Sequence, residues 1–128
     1  MIQGLVDTSV FVARETGRPT RVDLLPARLA VSIISIGELR AGVLAAADVT
    51  TRDVRIATLI DALGLEAIPI DGPVAEAWAR LRGALHKAGR RMPMNDSWIA
   101  ATAMSLGVPV VTQDDDYVEL PGLSVIHV

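Results

Sequence analysis

The chain has 128 residues, 51% of them hydrophobic, which is enough for one compact core, so we expect a single domain over residues 1–128. It contains no cysteine, which excludes disulfides and thiolate metal sites and favours a reducing cytoplasm. The formal net charge of −3 excludes a generic nucleic-acid binder but leaves room for local patches, because all but one of the 12 basic residues are arginines.

The first segment, MIQGLVDTSV, has neither the basic region nor the small-residue cleavage site of a signal peptide. No uninterrupted apolar run along the chain reaches the length of about 20 residues that a bilayer requires. We therefore expect a soluble cytoplasmic protein without membrane contacts.

Five short apolar segments predict buried β-strands. They are residues 2–6, 29–34, 66–70, 108–112 and 123–127. Apolar residues at helical spacing lie between them, and these stripes predict helices over about 35–47, 54–63, 74–85 and 98–106. The alternation of strands and helices predicts an α/β fold with a mainly parallel sheet that is covered on both faces.

Acidic residues follow two of these strands. Asp7 comes directly after the first strand, and Asp114 lies two residues beyond the fourth, so neighbouring strands would bring both carboxylates to the ligand-binding edge of the sheet. Glu38 lies in a mostly apolar helix, and Asp96 lies at a helix start. Each acid alone has an ordinary alternative: Asp7 and Asp96 as helix caps, Glu38 as a partner of Arg40, and the run TQDDDY as a solvated turn.

The four acids together predict a cation site. Two unit charges about 4 Å apart interact by roughly 4 kcal/mol at an effective dielectric of 20. Converging carboxylates must therefore separate, take up protons or bind a cation. An all-oxygen site suits Mg²⁺ or Mn²⁺, whereas the two histidines, His86 and His127, do not form a metal-binding pair.

Four segments in this order carry a family resemblance. They are VDTSV, SIISIGELRAG, MPMNDSWIAATAMSLGVPVVTQDDDY and LSVIHV. The sequence resembles the PIN-domain ribonucleases, and among them the VapC toxins of bacterial toxin–antitoxin pairs. The resemblance covers nearly the whole chain and implies a three-layer α/β/α sandwich with a mainly parallel five-stranded sheet.

The resemblance also implies a set of site residues. The catalytic acids are Asp7, Glu38, Asp96 and Asp114. The metal ligands are Asp7, Asp96, Asp114 and Asp116.

Other residues of the matching motifs are implied to support these acids. Thr8 and Thr112 supply hydroxyls, and Asn95 precedes the third acid. Asp115 matches no acidic position and is expected to face solvent. The motif often ends in Phe where this chain has Tyr117, a change expected to leave the chemistry intact.

The activity implied by the resemblance is hydrolysis of RNA phosphodiester bonds with Mg²⁺ or Mn²⁺, leaving a 5′-phosphate and a 3′-hydroxyl. The implied role is that of a type II toxin, with a VapB-like antitoxin and RNA as partners. A homodimer and a hetero-oligomer with the antitoxin are implied as well.

An acidic edge repels RNA, so cations must offset it. Arginines stand near three of the four acids along the chain, and as a set they are predicted to hold phosphates. They are Arg14, Arg18, Arg40, Arg90 and Arg91.

Several other readings of the acids are weaker. A phosphatase with an aspartyl nucleophile needs an acid at the position of Ser9. A phospho-receiver domain needs a lysine after the last strand, whereas Lys87 lies in a helix. A calcium-binding loop needs a glycine at the position of Glu119. A PIN-like nuclease acting on DNA and a catalytically inactive interaction module remain as alternatives.

Overall fold

The computed structural model describes residues 1–128. The strands are β1 Gly4–Val6, β2 Leu29–Ser32, β3 Glu66–Ile68, β4 Val110–Thr112 and β5 Val125–His127. The helices are α1 Thr8–Thr16, α2 Ile33–Leu44, α3 Val49–Leu63, α4 Gly72–Ala88 and α5 Met94–Leu106, with a 3₁₀ turn at Val22–Leu24. All five predicted strands are present, and each is shorter than predicted.

Local chemistry explains why β2, β3 and β4 are shorter than predicted and why α2 and α3 begin earlier. Pro69 follows β3 and Pro109 precedes β4, and a proline cannot donate to the sheet ladder. The Ser32 side chain accepts from Ile34 N at 3.0 Å, so α2 begins at Ile33, within the segment predicted as strand. In the same way Asp48 caps α3, which begins five residues earlier than predicted.

Helix α1 is the element that the spacing of apolar residues does not predict. It is nine residues long and buries only Val10, Phe11 and Ala13. Its start is set by Asp7, whose side chain accepts from Ser9 N, and its end by Gly17 in the left-handed conformation. The short helix therefore depends on its caps and on packing against the sheet.

The sheet has the strand order β3-β2-β1-β4-β5, and all four pairings are parallel. The central strand β1 lies between β2 and β4, with Leu5 opposite Ala30 on one side and Val110 on the other. The predicted adjacency of the strands that precede Asp7 and Asp114 is confirmed. Strand order reverses between β1 and β4, and ligand-binding crevices form at such reversals in open parallel sheets.

Helices cover both faces of the sheet, which confirms the predicted three-layer α/β/α architecture. One face of the sheet packs against α4 and α5 through Leu5, Ala30, Val110, Leu81, Leu85 and Ile99. The other face packs against α1, α2 and α3 through Val6, Val31, Val111, Phe11, Leu39 and Leu59. Alternate residues of each strand point to opposite faces, so the three central strands β1, β2 and β4 bury apolar side chains on both faces of the sheet.

None of the helices combines the length and the apolar character needed to span a bilayer. Glu76 and Arg80 form an ion pair one turn apart on an exposed face of α4, at 3.8 Å. Trp78 of α4 stacks on Trp98 of α5 with ring centroids 4.4 Å apart, which fixes how these two helices cross.

Candidate active site

A cavity of about 310 Å³ contains the predicted catalytic acids. Asp7, Glu38, Asp96 and Asp114 all line it, together with Arg18. Asp7 follows β1 and Asp114 follows β4, so the cavity lies at the edge where the parallel strands end. Residues that are far apart in the chain thus meet as the sequence predicts.

Asp7 is 1% exposed, and hydrogen-bond donors surround its carboxylate. Its Oδ2 accepts from Ser9 Oγ at 2.6 Å, from Thr112 Oγ1 at 2.9 Å and from Ser9 N at 3.4 Å. Its Oδ1 accepts from the Tyr117 hydroxyl at 2.7 Å. Asp7 therefore caps α1 and also lines the cavity, so it is both a helix cap and an acid of the site.

Three further aspartates converge beside Asp7. One carboxylate oxygen from each of Asp96, Asp114 and Asp116 lies within 4.8 Å of the others. Asp96 lies in the first turn of α5, whose N-cap is Pro93, so the alternative reading of Asp96 as a helix cap is wrong. Partly exposed carboxylate oxygens at this spacing fit a hard divalent cation that keeps several of its water ligands. Asp7 is not one of these three converging residues.

The site concentrates negative charge. Burial, followed by repulsion from Asp7, Asp116, Asp114 and Glu38, raises the pKa of Asp96 to about 7. Burial and the charges of Asp7 and Asp116 also raise the pKa of Asp114, against the opposing effect of Arg18. Without a cation, ionising the site therefore costs free energy.

Glu38 is held by a hydroxyl and not by an arginine. Thr8 Oγ1 donates to Glu38 Oε1 at 2.8 Å and lies 2.8 Å from Ser35 Oγ. The single ion pair of the protein lies on α4, so the alternative pairing of Glu38 with Arg40 is not formed. Thr8 thus contacts an acid of the site, in the manner implied for it.

Thr112 also contacts the acids as implied. Its hydroxyl donates to Asp7 Oδ2 and accepts from Asp114 N at 2.9 Å, so it connects two of the acids. Asn95, in contrast, is exposed and its side chain makes no hydrogen bond. Asp115 is exposed, as expected from its position between the two converging acids.

Ser9 and Gln113 contribute contacts to the site that were not predicted from the sequence. Ser9 Oγ accepts from Gln113 N at 3.0 Å while it donates to Asp7. Gln113 Nε2 lies 2.9 Å from Pro19 O and 3.2 Å from Val128 O, and its buried Oε1 has no partner. The hydroxyl two residues after Asp7 was a readable signal for Ser9, but nothing local indicates the contacts of Gln113.

The predicted phosphate-binding arginines are spread over the molecule. Arg18 lines the acidic cavity. Arg14 lines two cavities beside Phe11, and Arg40 is exposed on α2. Arg90 and Arg91 line a separate cavity at the end of α4. Only Arg18 therefore shares a cavity with the acids.

Residues 4–123 match the sequence family described as PIN domain. The chain belongs to the PIN-domain family. Two similar PIN-domain relatives are Ribonuclease VapC5 and Ribonuclease VapC4 of Mycobacterium tuberculosis. VapC5 is 46% identical over 125 residues, which cover 98% of this chain and 93% of the relative. VapC4 is 44% identical over 131 residues, which cover 98% of this chain and 97% of the relative.

Solved structures show the same PIN fold. A member of the VapBC family of toxin-antitoxin systems, VapBC-5 from Mycobacterium tuberculosis, superposes with a TM-score of 0.91 at 42% identity, covering 100% of both chains. FitAcB from Neisseria gonorrhoeae gives a TM-score of 0.77 at 27% identity, covering 96% of both chains. These matches confirm the resemblance to VapC-type PIN domains seen in the sequence.

Proposed function

We propose that this PIN domain, a single domain over residues 1–128, is a metal-dependent endoribonuclease and the toxin of a type II toxin–antitoxin pair. The observation that carries the proposal is the convergence of Asp96, Asp114 and Asp116 beside Asp7 and Glu38. The names of the relatives support it, because Ribonuclease VapC5 and Ribonuclease VapC4 align over nearly the whole chain. The catalytic acids would be Asp7, Glu38, Asp96 and Asp114.

The three converging acids, Asp96, Asp114 and Asp116, would hold Mg²⁺ or Mn²⁺. Asp7, the fourth metal ligand implied by the family resemblance, would lie next to them. When bound, such an ion lowers the pKa of a water molecule and neutralises charge that develops on the phosphoryl group. The donor set fits, since it contains only carboxylate oxygens and leaves part of the site open to water.

The protein's own side chains would orient the reactants. The hydrogen bonds from Ser9, Thr112 and Tyr117 hold the Asp7 carboxylate in one orientation. Thr8 holds one oxygen of Glu38, which leaves the other oxygen free to accept a proton from the attacking water. Attack in line with the leaving 3′ oxygen would yield a 5′-phosphate and a 3′-hydroxyl.

Arg18 lines the same cavity, so it would meet a phosphate oxygen of the RNA. Its charge opposes the rise in the pKa of Asp114, so it lies close enough to act on the site electrostatically. Arg14 and Arg40 would reach phosphates further along the RNA.

The proposed partners are cytoplasmic RNA, a VapB-like antitoxin and a second copy of this chain. The similar VapBC-5 structure is described as a member of a family of toxin-antitoxin systems, which supports the antitoxin as a partner. We infer that the toxin forms a homodimer and a hetero-oligomer with that antitoxin.

The decisive experiment incubates the purified protein with total RNA and Mg²⁺ or Mn²⁺, followed by sequencing of the cleaved ends. Cleavage is expected with metal, and it should be lost with EDTA or with Asp96→Asn. The matched control is Asp115→Asn, an exposed aspartate of the same acidic run, which should retain cleavage. Cleavage that persists in EDTA and in Asp96→Asn would refute the metal mechanism. Cleavage of DNA alone would establish the DNA-nuclease alternative, and no cleavage of either would establish an inactive module.

A further inference from the structure

Positive charge is concentrated in residues 77–95, which we call the basic segment. It contains five of the 12 Lys and Arg residues and none of the 15 Asp and Glu residues. The chain as a whole carries a net charge of −3, so the remainder of the molecule is strongly acidic. Such an asymmetry marks the part of an acidic protein that anions approach.

The segment surrounds a cavity of about 600 Å³ at the end of α4. Arg82, His86, Arg90 and Arg91 line it, and we call it the basic cavity. Gly89 ends α4 in the left-handed conformation, with φ of 64°, which turns the chain back so that Arg90 N donates to Leu85 O at 3.0 Å. This turn brings Arg90 and Arg91 alongside the last turn of the helix.

The guanidinium groups of the basic cavity make no hydrogen bond or ion pair within the protein. Among the arginine side chains, only Arg55 donates a hydrogen bond, at 2.7 Å to Gly42 O, and only Arg80 forms an ion pair. Basic residues at a helix end often balance the helix dipole, but here the N–H groups of Gly89 and Arg90 already donate to His86 O and Leu85 O in the last turn. The three arginines of the cavity thus keep their donors free.

Arg82 is also preorganised. Its guanidinium carbon lies 5.5 Å from the centroid of the Trp78 ring, and that ring stacks on Trp98 and donates to Ser97 Oγ at 3.0 Å. A cation stacked on an aromatic face loses less freedom when it binds an anion.

We propose that the basic cavity binds the phosphate backbone of RNA beside the cleavage site, an inference that rests on the proposed ribonuclease function. Asp96 lies five positions after Arg91, so their Cα atoms are within about 18 Å of each other, the reach of an extended chain. If the scissile phosphate of an RNA strand lies at Asp96, phosphates only a few nucleotides away along that RNA therefore reach the cavity. The attraction between the arginines and the neighbouring phosphates offsets the repulsion between the acidic edge and the RNA.

The test measures binding of a fluorescein-labelled 20-nucleotide polyuridylate by anisotropy in EDTA, over a range of KCl concentrations. Replacing Arg82, Arg90 and Arg91 together by Gln should raise Kd at least tenfold at low salt. It should also reduce the slope of log Kd against log salt by about 2, since each single-strand phosphate contact contributes roughly 0.7. Replacement of all three by Lys should retain most of the slope. All three arginines are exposed, so the fold should be unaffected.

Arg52→Gln is the matched control, because Arg52 is an exposed arginine on α3 outside the cavity, and its Kd should stay within twofold of wild type. An unchanged Kd and salt slope in the triple Gln variant would overturn the inference, even if the wild type cleaves RNA. A protein that binds polyglutamate but not polyuridylate would overturn it in favour of an acidic protein partner. Loss of RNA binding in the triple variant would support the basic cavity even if the wild type proved unable to cleave.

Discussion

The Tyr117 hydroxyl donates a hydrogen bond of 2.7 Å to Oδ1 of Asp7, across 110 positions of sequence. Burial, followed by the charges of Asp7 and Asp96, raises the pKa of Tyr117 above its ordinary value, so the hydroxyl keeps its proton and remains a donor. Tyr117 is 5% exposed, and its ring also belongs to the core between the sheet and α5. One side chain thus joins the core to the acidic site.

Tyr117→Phe removes this hydrogen bond and keeps the ring. It should lower the free energy of unfolding by about 1–3 kcal/mol, because a buried carboxylate oxygen loses its donor. Cleavage should fall by less than tenfold, since Ser9 and Thr112 still hold the other oxygen of Asp7. Urea denaturation and initial rates measure the two effects. Activity as low as that of Asp96→Asn would show instead that the phenol is required for the chemistry.

The raised pKa of Asp96 makes the stability of the metal-free protein depend on pH. Its pKa is about 7 in the folded state, against an ordinary value of 3.8. A group whose folded pKa is raised contributes its full stability below the unfolded value, and this contribution is lost as the pH rises through the folded value. Asp96 should therefore weaken the metal-free fold progressively from about pH 4 to pH 7.

Asp96→Asn removes this effect and should raise Tm in EDTA at pH 8 but not at pH 4. After allowance for solvent screening at this half-exposed carboxyl, a gain of about 1 kcal/mol corresponds to a few degrees. Thermal denaturation of wild type and variant at both pH values measures it, and Asp115→Asn is the exposed control. Equal Tm values for wild type and Asp96→Asn at pH 8 would contradict the raised pKa.

Asp116 and Asp115 offer a test of the metal site at adjacent positions. Only Asp116 converges with Asp96 and Asp114, although both neighbours are exposed. Asp116→Asn should weaken Mn²⁺ binding about tenfold or more, and Asp115→Asn should change it less than twofold, as measured by calorimetry at pH 8. The affinity of the wild type should fall below pH 7, because the ion must displace a proton from Asp96. Equal losses in the two variants would indicate general electrostatic attraction without a defined site.

The sequence predicted those parts of the site that follow from strand ends. Asp7 and Asp114 meet because β1 and β4 are neighbours, and an acid that follows a buried strand in a parallel sheet reaches one shared edge. Thr8 and Thr112 were found through the family motifs that contain them. These positions could be predicted because the local motifs and the order of strands and helices can be read from a single sequence.

The remaining features depend on contacts between distant side chains. Nothing near Tyr117 indicates that its hydroxyl points to Asp7, because its burial alone would suit a Phe equally well. Helix α1 is defined by its caps and not by a long apolar stripe, so its periodicity is weak. Arg90 and Arg91 stand near Asp96 in the sequence, but their cavity with Arg82 exists only because α4 ends at Gly89.

Gln113 connects the site to two other segments through its side-chain amide. Its Nε2 lies within hydrogen-bonding distance of Pro19 O, Thr20 Oγ1 and Val128 O, at 2.9, 3.3 and 3.2 Å. The amide therefore fixes the loop after α1, which carries Arg18, and the end of the chain against β4. Gln113→Ala should lower the free energy of unfolding by about 0.5–1.5 kcal/mol, because the partly exposed carbonyls of Pro19 and Val128 lose this donor.

Gln113→Ala should also raise KM more than it lowers kcat, since Arg18 loses its fixed position while the acids keep theirs. Gln113→Glu should be at least as harmful, because a carboxylate cannot donate to these carbonyls and adds charge to an acidic site. The control is Gln3→Ala, which removes one exposed hydrogen bond, from Arg28 N at 3.2 Å, and should leave KM unchanged. Steady-state kinetics on a defined RNA separates the two constants. A fall in kcat with KM unchanged would mean that Gln113 acts on the acids themselves and not on the loop that carries Arg18.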